Sequence, residues 1–143
     1  MDYLKVLVEE IHSVVVATVD ETGHPHTAVM DMMWEDGKTV YFLTADFKPL
    51  YKRLKEDGRV AVTGMTQGAG TMDRKSISLT GQVEWIGKEH LEELLKANPY
   101  MYEIYPTEEG PSHLQVFRFK NAVGNFYDLT QLPPYQARFE IEG

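Results

Sequence analysis

Polar and apolar residues alternate along Lys75 to Ile86. Ile77, Leu79, Val83 and Trp85 fall on one side, and Ser76, Ser78, Thr80, Gln82 and Glu84 on the other. A period of two belongs to an extended strand with one buried face and one facing solvent or a polar partner. Gly81 lies on the apolar side and predicts a bend or bulge there. Other stretches carry weaker versions of the same signal. Val14 to Val19 is compact and β-branched, so it reads as a buried strand. Turn residues Glu21 to Pro25 separate it from a second strand, His26 to Trp34, and Asp36-Gly37 leads into a third, Thr39 to Thr44. Three strands joined by two short turns predict an antiparallel meander. Val60 to Met65 is a fourth strand, Lys75 to Ile86 the fifth, and His113 to Asn125 a sixth.

Helical spacing occupies the gaps. Leu4, Leu7, Val8 and Ile11 follow a capping Asp2; Leu50 and Leu54 lie four apart behind Pro49; Leu91, Leu94 and Leu95 precede the breaker Asn98-Pro99. The tail from Thr130 contains Pro133-Pro134 and reads as extended along the surface or a partner. No repeat or linker interrupts the pattern, so one domain over 1–143 is expected. A sheet of this size with few helices tends to close on itself. The expected fold is mainly β (α+β), a six-stranded antiparallel barrel with flanking short helices.

Composition narrows the function classes. A net charge of −8 with no basic cluster argues against nucleic acid and anionic membranes as partners. The absence of cysteine removes disulfides, thiolate chemistry and cysteine metal sites. The first residues lack the basic start and apolar run of a signal peptide, and no window approaches a membrane span, so the cytoplasm is the expected compartment.

Candidate chemistry is sparse. No G-x-S-x-G elbow accompanies Ser76 or Ser78. His24 and His26 are two apart and could share a face, but no nearby carboxylate pair completes a metal set, and a turn-edge role is the simpler reading. Gly68-Ala69-Gly70 lacks the strand and helix of a phosphate-binding loop. Met30, Asp31, Met32, Met33 and Trp34 make a strand that is apolar on both faces, fit for a subunit or a flat aromatic ligand. Asp31 among them must be paired, hydrogen-bonded or solvated. Thr44 through Lys52 ends a strand and opens a short helix, which serves equally as a solvated helix start or as a phosphate site.

The order of these segments resembles a known family. Val15-Val16-Ala17-Thr18-Val19-Asp20-Glu21-Thr22-Gly23-His24-Pro25-His26 is similar to the first hairpin of the pyridoxamine 5'-phosphate oxidase-like FMN-binding split barrels. Thr39-Val40-Tyr41-Phe42-Leu43-Thr44 looks like their third strand, and Lys48 to Leu54 with Gly58-Arg59-Val60-Ala61-Val62 like the helix and strand that follow. Ile77-Ser78-Leu79-Thr80-Gly81-Gln82-Val83 resembles a later strand. The resemblance covers roughly residues 4 to 129 and points to the general-stress-protein-like branch.

The resemblance implies a homodimer with two FMN sites, each built from both subunits. Ala28, Val29, Met30 and Asp31 would run along the flavin; Leu43 and Thr44 would lie near the ribityl phosphate; Lys48 and Lys52 would neutralise it; Ser76 would approach from the fifth strand. Met32, Trp34 and Tyr127 are candidates to line a substrate pocket. Departures argue against vitamin B6 oxidation. Ala28 stands where the family's oxidases carry a phosphate-binding Arg, Met33 where they carry a Lys, and the late Arg-x-His is absent from Gln136 to Glu140. The expected function is an FMN-dependent oxidoreductase of unassigned substrate and catalytic residues, with no metal. The alternatives are a flavin or haem binder without catalysis, and a barrel dimer that has lost its cofactor.

Overall fold

The computed structural model describes residues 1–105 and 109–142. At the start, the Asp2 carboxylate accepts a hydrogen bond from the Lys5 amide (3.2 Å) and caps α1 (Tyr3–Lys5). The expected helix then widens to a π turn over Val6–Ile11, which ends at His12 with φ +62. Leu7 is fully buried by that turn.

Eight strands form one antiparallel sheet: β1 (Ser13–Val19), β2 (Pro25–Asp31), β3 (Trp34–Glu35), β4 (Val40–Ala45), β5 (Arg59–Met65), β6 (Lys75–Gly87), β7 (Leu114–Asp128) and β8 (Tyr135–Glu142). Their order is β2-β1-β5-β6-β7-β4-β3, with β8 added beside β7. The six expected strands are all present. Two more appear because the second strand breaks after Asp31 and because the tail pairs with β7. Strand β8 buries Ile141 in the main core and packs Ala137 and Phe139 partly buried against it.

The expected three-strand meander is not formed, since β2 pairs with β1 but not with β4. Met32 and Met33 explain why. Both are buried, yet Met32 joins the main core and Met33 joins a second apolar cluster. The Met32 amide donates to His12 O (2.7 Å), just before β1, and the Met33 amide donates to Tyr41 O (2.9 Å) on β4. The chain thus steps from one edge of the sheet, β2, to the other, β3, in two residues, and the sheet is curled.

The main core packs Phe42, Phe117, Phe119 and Phe126 against Ile77 and Leu79 inside the curl. The second cluster packs Tyr41, Leu43 and Val116 beneath Leu94 and Leu95 of α3 (Leu91–Ala97) and Met101 of α4 (Met101–Ile104). Gly81 behaves as its place in the alternation predicts. A Cβ there would lie 2.1 Å from Asn121 O, and the β6–β7 register shifts just beyond it, between Gln82 and Val83. Helix α2 (Pro49–Glu56) buries Leu50 and Leu54, as their spacing requires. Among the described residues no helix is long and apolar enough to cross a membrane.

Candidate functional site

Strands β2 and β4 and the start of α2 enclose a cleft of about 310 Å³. Six of the expected site residues line it: Ala28, Val29 and Met30 from β2, Leu43 and Thr44 from β4, and Lys48 at the head of the helix. Lys48 is the extended residue before Pro49, and no side chain caps the helix there. Arg53, which the sequence reading passed over, lines the same cleft and donates from Nε to Thr18 Oγ1 (2.8 Å). Helical spacing carried that signal, because Arg53 lies four residues beyond Pro49 and shares its face. Lys52 lies one residue away around the helix. It is not part of this lining; its ammonium is exposed and 4.0 Å from Glu56. The cleft therefore presents two cations and a hydroxyl against an apolar wall, a donor set suited to a phosphate.

Val29 also lines a second, larger groove of about 630 Å³. Its floor is the outer face of the sheet. Register sets Val29 beside Val15, Val15 beside Thr63 and Thr63 beside Ser78, a row crossing four strands. Val29 is 74% exposed, and Val15 and Met65 are also exposed, so the floor is a flat apolar strip open on one side. Ser76 lines this groove, between Met65 of β5 and Tyr127 of β7 in register. It is thus on the polar face that the alternation of β6 predicts. Arg74 supplies the groove's charge.

Asp31 belongs to a different cluster. Its carboxylate accepts from Ser13 Oγ (2.7 Å) and Tyr100 Oη (2.6 Å), and His12 Nε2 is 3.5 Å away. Burial, together with the Asp31 carboxylate, pushes the Tyr100 phenol above its ordinary range. Neither groove includes Asp31, so the side chain expected beside the flavin instead ties β2 to β1 and to the segment before α4. Met32 is fully buried in the core and cannot line a substrate pocket. Trp34 packs against Tyr41 and His90, away from Val29. Tyr127 is beside Ser76 in register. His26 Nε2 is 2.8 Å from Asp20 Oδ2, and His24 Nδ1 is 2.7 Å from Thr22 Oγ1, so both histidines serve the β1–β2 turn. Among the described residues no three His, Cys, Asp or Glu side chains converge on a metal position.

Comparison with known proteins bears on this arrangement. A NimC/NimA family protein from Clostridium acetobutylicum superposes with a TM-score of 0.76 at 20% identity, over 98% of this chain and 95% of that one. A pyridoxamine 5'-phosphate oxidase-related, FMN binding protein from Nostoc punctiforme gives 0.60 at 10% identity, over 92% and 87%. A heme binding protein from Mycobacterium smegmatis gives 0.71 at 13% identity, over 95% of this chain and 56% of that one. At these identities the likeness establishes a shared split-barrel fold. No curated protein matches the sequence. A family model described as pyridoxamine 5'-phosphate oxidase matches residues 2–127, and the chain belongs to that family.

Proposed function

We propose that the chain is an FMN-binding flavoprotein that acts as a homodimer, an FMN-dependent oxidoreductase. One observation carries the reading: a cationic cleft and a flat apolar groove adjoin at Val29. FMN has the same two parts, a phosphate on a short polar tail and a planar ring. Lys48, Arg53 and Thr44 fit the phosphate; Val29 and Val15 fit the ring. Ala28 removes the β2 arginine of the family's oxidases, and Arg53 stands on the opposite wall as a replacement cation. A second copy covering the exposed strip would shield the ring from water.

When bound, FMN supplies two-electron redox chemistry; the protein supplies placement and electrostatics. Lys48 and Arg53 hold the anionic end. The apolar floor keeps the ring face dry. The Nostoc punctiforme relative is described as FMN binding, which agrees with this assignment.

The visible spectrum of the purified protein tests the reading. A flavin spectrum, or uptake of added FMN by a dimer, is expected. A Soret band would replace FMN by haem, and a colourless chain that takes up no FMN would overturn the reading. Lys48→Glu should weaken FMN binding by about tenfold or more, since it removes one phosphate partner and adds repulsion. Fluorescence titration with FMN measures this, and unchanged affinity would show Lys48 to be a solvated helix residue.

A further inference from the structure

We propose that Arg74 makes the far end of the large groove a receptor for a carboxylate on a flat apolar body, which names the substrate class as aromatic or conjugated carboxylates. The inference rests on the flavin reading for the word substrate, but not for the binding itself. Arg74 follows a tight turn at Thr71–Asp73 and immediately precedes β6. Its backbone is held on both sides. The Thr66 amide donates to Lys75 O (2.8 Å), the Lys75 amide donates to Thr66 Oγ1 (3.0 Å), and the Leu129 amide donates to Arg74 O (3.0 Å).

The side chain is far less well served than the backbone. Nη1 reaches Met65 Sδ at 3.5 Å, a weak acceptor, and Nε is buried with no acceptor among the described residues. The chain's other arginines differ. Arg59, Arg118 and Arg138 each pair with a carboxylate at 2.7 Å, and Arg53 donates to Thr18. Lys75, the next residue, has Glu10 at 3.6 Å. A chain with 22 acidic and 14 basic side chains has ample partners to offer, yet among the described residues no acidic side chain lines this groove. A guanidinium presents a planar fork that matches a carboxylate through two parallel hydrogen bonds. An anion entering the groove would supply the acceptor that the fold omits, after a small rotation of the side chain.

Position separates this end from the phosphate cleft. Val29 is on β2 and Arg74 immediately precedes β6, three strand spacings away, or about 14 Å. A ring anchored at Lys48 and lying on Val29 leaves the Arg74 end for a second molecule. Met65 supplies apolar contact there, while Gln67 and Thr66 supply neutral hydrogen bonds.

The test compares 2-naphthoate with its neutral analogue 2-naphthamide by calorimetry, on the full chain as purified and again with saturating FMN. The carboxylate should bind about tenfold or more tightly than the amide, as a charge-assisted pair requires. Arg74→Gln should abolish that preference and leave amide binding unchanged, and Arg74→Lys should restore part of it. Circular dichroism and FMN uptake of both variants should match the parent. Equal affinities for the two probes, no binding of either, or a preference that survives Arg74→Gln would each overturn the proposal. If FMN fails to bind and the preference remains, the flavin reading falls while this one stands; if FMN binds and no preference is found, the reverse holds.

Discussion

The Asp20 carboxylate organises the turn between β1 and β2. His26 Nε2 at 2.8 Å, the Thr22 hydroxyl and amide, and the His24 amide all converge on it. His26, then Thr22, then the His24 amide hold its carboxyl well below the usual carboxylate range. The sign follows. A depressed pKa contributes stability that is complete above the ordinary carboxylate value and is lost as pH falls through the depressed one. The hairpin should therefore keep its protection at neutral and mildly acidic pH and open only under strong acid. Amide exchange at Thr22 and His24, whose N–H groups donate to the carboxylate, measures this. In Asp20→Ala these two amides should exchange faster, with no step at low pH. Residue identity was legible in the sequence where spacing was short, as with Lys48 and Thr44 at a helix start. Asp31 and Arg74 were not. Tyr100, which decides Asp31, lies 69 residues away in the sequence, and Arg74 Nε has no acceptor among the described residues.

Among the elements, β6 was the clearest in the sequence, because Ile77, Leu79 and Val83 are buried while Ser78, Thr80 and Gln82 are exposed; Trp85, expected on the buried side, is exposed beyond the register shift. Strand β8 carried a signal that the sequence reading missed: Tyr135, Ala137, Phe139 and Ile141 alternate with Gln136, Arg138, Glu140 and Glu142, but Pro133-Pro134 just before them favours an extended tail. What places it is packing: Phe139 stacks on Tyr3 at 4.8 Å and covers Gly124, where a Cβ would meet the ring at 2.4 Å. The close crossing of β6 and β7 gives a sharper test. Gly81→Val sets side-chain atoms against the Asn121 carbonyl and Ala122, neither of which can move without the strand. Overpacking of this kind costs about 1–3 kcal/mol. Urea unfolding should show a lower midpoint with an unchanged slope. A variant as stable as the parent would mean that the two strands can separate locally.

On the scale of the whole molecule, closure into a barrel was legible but strand order was not. Local pattern marks each strand. Pairings such as Val16 with Val62 and Phe42 with Phe117 depend on which faces can share a core. The same scale holds the dimer proposal. A monomer with Val29 74% exposed has an apolar strip to cover. Val29→Asp should convert the proposed dimer to monomer and lower FMN affinity in parallel, read by analytical ultracentrifugation and flavin absorbance. A dimeric variant with full flavin content would separate the strip from both roles.

The two-residue step at Met32 and Met33 has a kinetic consequence. Its hydrogen bonds are local, since Met32 with His12 continues the β1–β2 hairpin and Met33 with Tyr41 continues the β3–β4 hairpin. The Met32 side chain is different: it belongs to the core cluster formed with residues of β5, β6 and β7. Those strands enclose long stretches of chain, and such loops close late. The two hairpins should form early, and the Met32 side chain should be seated only after the rate-limiting step of folding. Met32→Ala, at a fully buried position, should then cost about 2–5 kcal/mol and act almost entirely by speeding unfolding. Stopped-flow kinetics would show the unfolding limb raised and the folding limb unmoved.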